Sequence, residues 1–238
     1  MKQPGIFLTA EWTNLVMLNY AVDPSLLARF VPAGTELDSF EEVTYLSLIG
    51  FEFNRTQLLG FPVPFHQAFE EVNLRFYVRR GSKRGVVFLR EFVPRRAVVA
   101  IAQYVFNENY AYAPMSHRIE AGMQSDTVKA EYTWGSKQSF CRMQIEAEGP
   151  GSLSPEGSLS QFITEHYWGY AAQKDDGCVE YEVQHVPWIV RSARAASFTG
   201  NLSGHFGIEI ASILTRNPDS AFLAEGSPVT VFQGRRIH

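Results

Sequence analysis

The chain shows its clearest pattern over residues 70–79, where apolar and polar positions alternate. The apolar positions are Val72, Leu74, Phe76 and Val78, and the polar face carries Asn73, Arg75, Tyr77 and Arg79. A period of two places successive side chains on opposite faces of a β-strand. The pattern therefore predicts a strand that covers a core with one of its faces.

Other apolar runs predict further strands over residues 14–22, 43–53, 86–93, 178–184 and 229–235, with a three-stranded meander over 116–125, 127–134 and 138–146. The turn residues at 81–85 predict a hairpin loop of about five residues. Helices are predicted over residues 25–30, 95–107, 159–167 and 203–214. The first follows a cap at Asp23-Pro24, and the second is apolar in its first turns, which is typical of a buried helix. Many strands and few short helices indicate an α+β fold with one dominant sheet or barrel.

The composition fits a packed core, since 45% of the 238 residues are hydrophobic and 19% are charged. We interpret the Gly- and Pro-rich stretch at 148–157 as a loop, so residues 1–238 are expected to form a single domain. A net charge of -4 argues against nucleic-acid binding. Without an apolar run of membrane-spanning length or a signal peptide, we expect a cytoplasmic protein with Cys141 and Cys178 reduced.

Charged residues cluster where a predicted strand meets a predicted helix. Arg90 and Glu91 end the strand, and Arg95 and Arg96 begin the helix. Two guanidinium groups beside the free N–H groups of a helix start would bind a carboxylate or phosphate. The alternative is that Arg90 pairs with an acid while the other two arginines face water or a partner subunit.

Several motifs together resemble a known family. They are FEEVNLR at 69–75, RGVVFLREFVPRR at 84–96, FVP at 30–32 followed by Leu37-Asp38, and HVPW at 185–188. These motifs resemble the uncharacterised YqjF-like family and, more distantly, acetoacetate decarboxylase. The resemblance implies an acetoacetate-decarboxylase-like β-barrel or large antiparallel sheet with a few short helices.

The same resemblance bears on the chemistry. In the decarboxylases two lysines follow the proline, and the second lowers the pKa of the Schiff-base lysine by repulsion. Here Arg95 and Arg96 stand in those places, and a guanidinium stays protonated and forms no imine. The resemblance also places Glu71 where the decarboxylases have a pocket carboxylate. It therefore implies a pocket and argues against Schiff-base decarboxylation.

Three functions remain open. The chain would bind a small organic anion against Arg95 and Arg96, beside Arg90 and Glu91. Alternatively, it is a lyase or hydratase acting on a keto or enol acid, with Glu71 as acid–base. The third possibility is a structural module whose barrel is filled by side chains.

The remaining expectations concern single residues, cofactors and assembly. Glu71 has an alternative role as an ion-pair partner of Arg75 or Arg79 at a strand edge. His166 is expected to be a cation at the end of a helix. No metal-ligand spacing or cofactor fingerprint occurs, so we expect neither a metal nor a cofactor. A homo-oligomer is expected by analogy alone.

Overall fold

The computed structural model describes residues 4–106, 109–121, 126–137 and 139–237. Within them, long strands form where apolar and polar residues alternate, and four short helices lie between them. The strands are β1 (Ile6–Val22), β2 (Glu36–Leu37), β3 (Thr44–Leu58), β4 (Phe61–Pro62), β5 (Phe69–Arg80), β6 (Lys83–Val93), β7 (Tyr110–Tyr112), β8 (Met115–Ala121), β9 (Val128–Trp134), β10 (Cys141–Ala147), β11 (Ser152–Leu153), β12 (Trp168–Ala172), β13 (Cys178–Gln184), β14 (Ile189–Thr199), β15 (Ser220–Phe232) and β16 (Arg235–Ile237). The helices are α1 (Pro24–Ala28), α2 (Arg96–Phe106), α3 (Leu159–Thr164) and α4 (Ser203–Leu214).

Seven strands form a ring in the order β13-β12-β6-β5-β3-β1-β15, and β15 also pairs with β13. Two joins in this ring are short. Strands β6 and β12 run parallel and share two residue pairs, and β13 and β15 share two antiparallel pairs. The sheet then continues from β15 through β14, β10 and β9 to β8. The fold is thus α+β, as predicted, with a large mixed sheet that closes only partly into a barrel.

The two faces of the ring bury separate clusters because side chains alternate along each strand. The inner cluster includes Met17, Ile49, Tyr77, Phe162 and Trp188. The outer cluster lies between the ring, the β8–β10 meander and α4, and it includes Leu18, Leu48, Leu74, Tyr132 and Met143. The ring therefore buries its outer face against the meander and α4, and its inner face lines a separate interior.

The predicted meander, the cap at Asp23 and the bounds of β13 and α4 are confirmed. Parts of three predicted elements, at residues 107, 122–125 and 138, lie outside the described residues. The predicted five-residue hairpin loop is wrong, because Arg80 pairs with Lys83 across a two-residue turn. Lys83 and Arg84 belong to β6 and form ion pairs with Glu180 and Asp38.

The prediction of a buried helix after Pro94 is also wrong. Helix α2 begins at Arg96 and packs against the inner cluster through Val98 and Val99. Its other side faces solvent, with Tyr104 92% exposed. An apolar helix can lie at the surface when only one of its sides has a core to cover, and α2 covers one end of the ring.

Among the described residues, no helix has the length and apolar character needed to cross a bilayer.

Glu180 on β13 is a buried carboxylate that joins distant parts of the chain. Its Oε1 atom lies 2.7 Å from Lys83 Nζ and 2.7 Å from Arg235 Nη2, and its Oε2 atom lies 3.5 Å from Arg80 Nη1. Burial raises the pKa of Glu180, but the hydrogen bonds from Lys83 and Arg235 outweigh burial and hold this pKa below its usual 4.5. The carboxylate thus ties the β5–β6 hairpin to the C-terminal strand β16.

Replacing Glu180 with Gln should destabilise the fold by about 1–3 kcal/mol, because three cations lose their shared counter-charge while staying partly hydrated. A carboxylate whose pKa is lowered by folding stabilises the folded state at pH values above the pKa that it has in the unfolded chain. The free energy of unfolding of the parent protein should therefore decrease as pH falls below about 4.5, and the variant should lack part of this decrease. Urea unfolding between pH 3 and 7 measures both effects. Glu182→Gln on the same strand is the control, since Glu182 accepts a hydrogen bond from Gln184 and forms no ion pair among the described residues. An equal loss there would contradict the assignment.

Candidate functional site

The polar face of β5 points into the ring rather than to solvent. Glu71, Asn73 and Arg75 are buried and line one cavity of about 160 Å³. Strand β5 lies between β3 and β6, so Glu71 is not at a strand edge. The alternation along β5 therefore places a carboxyl, an amide and a guanidinium group on one interior wall.

Glu71 is held by two hydrogen-bond donors. Its Oε1 atom accepts from Asn73 Nδ2 at 3.0 Å, and its Oε2 atom accepts from the Tyr110 hydroxyl at 3.0 Å. Burial raises the pKa of Glu71 to about 7, against the lowering effects of these two hydrogen bonds and of Arg75. Glu71 can therefore gain or lose a proton near neutral pH, which an ion-paired surface carboxylate cannot do.

A second carboxyl group lines the same cavity. Glu91 of β6 is buried and pairs with Asn73 across the two strands. Strand β7 lies parallel beside β6 and brings Tyr110 next to Glu91. The structure thus brings the predicted residues Glu71 and Glu91 together, and it adds Tyr110, which nothing in the motif around β6 indicated.

Arg75 is the cation that lines this cavity. It is 8% exposed, and its Nη2 atom donates to the Ile163 carbonyl at 3.1 Å. The alternation showed that Arg75 shares a face with Asn73, but an arginine on the polar face of a strand is usually at the surface. Only the closure of the ring turns this face inward.

His166 follows α3 and also lines the cavity. The prediction of a helix-terminal cation is wrong, because His166 is buried against the rings of Tyr77 and Phe162 at 4.6 and 5.5 Å. Burial first, and then the charges of Arg75 and Arg84, lower the pKa of His166 well below its usual value. The imidazole is therefore uncharged at neutral pH.

Two buried polar atoms of this wall have no hydrogen-bond partner among the described residues. They are Asn73 Oδ1 and Arg75 Nε. Native proteins pair most of their buried polar groups, because an unpaired one costs about 1–3 kcal/mol. One wall of the cavity therefore combines an acceptor, a cationic donor and an uncharged imidazole.

Aromatic rings form much of the remaining wall. Trp12, Phe51, Phe53 and Phe69 line the cavity, and Phe53 and Phe69 stack with centroids 4.7 Å apart. His185 stacks on Trp188 at 4.3 Å, and burial lowers the pKa of His185. The site thus joins a polar wall to a predominantly apolar chamber.

The other three predicted site residues do not line this cavity. Arg95 donates from Nη2 to the Ala68 carbonyl at 3.3 Å, and Arg96 is exposed with its guanidinium over the Tyr112 ring. Arg90 is half-buried, and burial lowers its pKa. Arg95 precedes α2 and Arg96 is its first residue, and the helix lines the cavity through Val98, Ile101 and Ala102 instead.

Among the described residues, no group of three or more His, Cys, Asp or Glu side chains is placed to hold a metal ion. Among the described residues that line the cavity, none is a lysine.

One curated relative is the uncharacterized protein YqjF of Bacillus subtilis (strain 168). It is 26% identical to the chain over 208 residues, which cover 87% of this chain and 84% of YqjF. This likeness confirms the resemblance seen in the motifs.

Solved structures share the fold at low sequence identity. The enduracididine biosynthesis enzyme MppR, complexed with pyruvate, superposes with a TM-score of 0.70 and 12% identity over 99% of this chain and 91% of MppR. Acetoacetate decarboxylase from Legionella pneumophila superposes with a TM-score of 0.69 and 10% identity, over 100% of this chain and 90% of the decarboxylase. An acetoacetate decarboxylase-like enzyme from Sphingomonas wittichii RW1 superposes with a TM-score of 0.69 and 9% identity, over 100% of this chain and 94% of that enzyme. The fold is therefore acetoacetate-decarboxylase-like.

A family model places the chain among its sequence relatives. The model describes DUF2071, an uncharacterized conserved protein, and it matches residues 9–228. The match covers β1 to β15 and includes the whole polar wall from Glu71 to His166. The chain therefore belongs to the DUF2071 family.

Proposed function

We propose that the chain binds a small organic acid inside the ring, with Arg75 as the cation that holds the carboxylate. One observation carries this proposal: Asn73 Oδ1 and Arg75 Nε are buried on one wall of one cavity without a hydrogen-bond partner among the described residues. A carboxylate accepts hydrogen bonds, so it would pair with Arg75 Nε.

Protonation of Glu71 removes one of the two negative charges that would oppose an anion at this wall. The charged groups facing the wall are Arg75 and Glu91, with Glu71 able to titrate near neutral pH. His166 adds no charge there. A bound carboxylate would favour the protonated form of Glu71, because two anions close together in a buried site repel each other.

The size of the cavity favours a small molecule. A cavity of about 160 Å³ is comparable to an engineered protein cavity of roughly 150 Å³ that binds benzene. MppR, which shares this fold, is complexed with pyruvate. Both observations support an acid of a few to about a dozen heavy atoms, and a barrel filled by its own side chains would leave no such space.

Replacing Arg75 with Gln should weaken the binding of a small carboxylate by about 10- to 100-fold, since a buried charged hydrogen bond contributes roughly 1.5–3 kcal/mol. A thermal-shift screen of organic acids, with pyruvate among them, would supply the probe, and calorimetry would give its Kd. Arg79→Gln is the control, because Arg79 lies on the same strand, is half exposed and pairs with Glu36. Unchanged binding in the Arg75 variant would contradict the proposal.

The affinity for that acid should fall as pH rises through about 7, where Glu71 loses its proton. Below this pH the neutral carboxyl group does not repel the ligand, and above it a second buried anion faces the ligand. The decrease should be at least severalfold between pH 6 and 8. Calorimetry across this range with Glu71→Gln should give a nearly constant Kd, and a pH dependence that survives the substitution would rule out Glu71 as its source.

A second candidate function is acid–base catalysis on a keto or enol acid. The observation in its favour is the pKa of Glu71 near 7, which suits a group that both takes and returns a proton at neutral pH. The Tyr110 hydroxyl touches the same carboxyl group and would keep it in place. In this mechanism Glu71 would remove a proton from the carbon beside the carbonyl.

Exchange of the methyl protons of pyruvate in deuterated water tests this second function. NMR should show deuterium entering the methyl group faster with the protein than without it, and Glu71→Gln should abolish this increase while pyruvate still binds. Tyr110→Phe should reduce it less, because Tyr110 orients the base. Exchange at the uncatalysed rate while pyruvate is bound would contradict base catalysis on this acid.

A further inference from the structure

We propose that the ligand of this cavity is an aromatic acid with a second oxygen at the end opposite its carboxylate. This inference rests on the function proposed above and adds the chemical class of the ligand. It depends on two features that the acid-binding wall does not use. One is a collar of aromatic rings, and the other is a pair of buried polar atoms beyond that collar.

The collar consists of Trp12, Phe51, Phe53 and Phe69, all of which line the cavity. The Trp12 ring meets Phe51 and Phe53 edge-on, with centroids 5.2 and 5.8 Å away. Edge-to-face and stacked contacts fix the direction of each ring. Such a collar presents flat faces and ring edges, which match an aromatic ring better than a flexible hydrocarbon chain.

The strand register places the collar at a distance from the acid-binding wall. Trp12 pairs with Phe53, and Phe53 pairs with Phe69, so these residues form one row across β1, β3 and β5. Glu71 lies two residues further along β5, and Arg75 lies six residues further. At roughly 3.4 Å per residue, the backbones of the collar row and of Arg75 are about 20 Å apart. Long side chains from both ends shorten this gap, and an elongated ligand would span it.

Two polar atoms at the collar end have no hydrogen-bond partner among the described residues. They are Trp12 Nε1 and Thr56 Oγ1, and both residues line the cavity. Thr56 is 4% exposed, and its backbone N–H already donates to the Gln67 carbonyl. An indole nitrogen only donates, so the matching group on a ligand must accept a hydrogen bond. A hydroxyl or carbonyl oxygen meets this requirement and also suits the threonine hydroxyl.

Other small acids match these features less well. A short aliphatic acid would reach the cation but leave the collar unfilled. A longer aliphatic acid would fill the collar but leave the indole N–H and the hydroxyl unpaired. An aromatic acid with a hydroxyl group on its far side pairs the polar atoms at both ends.

Calorimetry with three acids of similar length tests this inference: hexanoate, 3-phenylpropanoate and 3-(4-hydroxyphenyl)propanoate. The hydroxylated acid should bind about 3- to 10-fold more tightly than 3-phenylpropanoate, which is the typical value of one hydrogen bond. Hexanoate should bind most weakly of the three.

Two substitutions identify the atoms responsible. Trp12→Phe removes the indole N–H but keeps a ring, and Thr56→Val removes the hydroxyl at nearly constant shape. Each should reduce the ratio between the affinities for the hydroxylated acid and for 3-phenylpropanoate, because the lost hydrogen bond is made by the hydroxylated acid alone. Trp134→Phe is the matched control, since Trp134 Nε1 is also buried without a partner among the described residues but lies in the outer cluster.

The outcomes separate this inference from the function on which it rests. If hexanoate binds as tightly as the aromatic acids, the ligand class is wrong while acid binding stands. If the hydroxyl group does not raise the affinity, or still raises it in both variants, the proposal of a second oxygen on the ligand is wrong. If none of the three binds while another small carboxylate does, the ligand class is wrong; if Arg75→Gln leaves the binding of every acid unchanged, the proposed acid site itself fails.

Discussion

The site depends on the position of β5 in a closed ring of strands. An alternating strand in an open sheet would give its polar face to water, and Glu71, Asn73 and Arg75 would be ordinary surface residues. Because β3 and β6 flank β5 and the ring closes through β12, β13 and β15, the same face is buried. This burial raises the pKa of Glu71, and among the described residues Arg75 Nε has no hydrogen-bond partner.

The strands and their faces were largely predictable because side-chain alternation is a local property. The face of β5, the meander and the bounds of β13 follow directly from the order of residues. Strands β12 and β14 were missed, since β12 is short and carries a glycine, and β14 is rich in Ala and Arg. Their assignment as strands depends on the neighbours that pair with them, which no local pattern contains.

The site was predictable only in part. Glu71 was found through the family resemblance and Glu91 through the charge cluster at the end of its strand, and both line the cavity. Arg75 was identified only as a member of the polar face, while Arg95 and Arg96 were expected to be the binding cations. The direction of a side chain at the start of a helix depends on how that helix docks, and α2 turns Val98 toward the cavity rather than Arg95 or Arg96. Tyr110 and His166 reach the site from segments that carry no motif.

The parallel join between β6 and β12 has a further consequence for the ring. It consists of the pairs Trp168–Gly85 and Gly169–Val86. A Cβ atom at Gly85 would lie 2.6 Å from the Trp168 carbonyl oxygen, and one at Gly169 would lie 2.1 Å from the Tyr181 ring. Val86, Trp168 and Gly169 line the cavity. A larger residue at Gly85 would therefore push the main chains of β6 and β12 apart, and a larger residue at Gly169 would displace the Tyr181 ring.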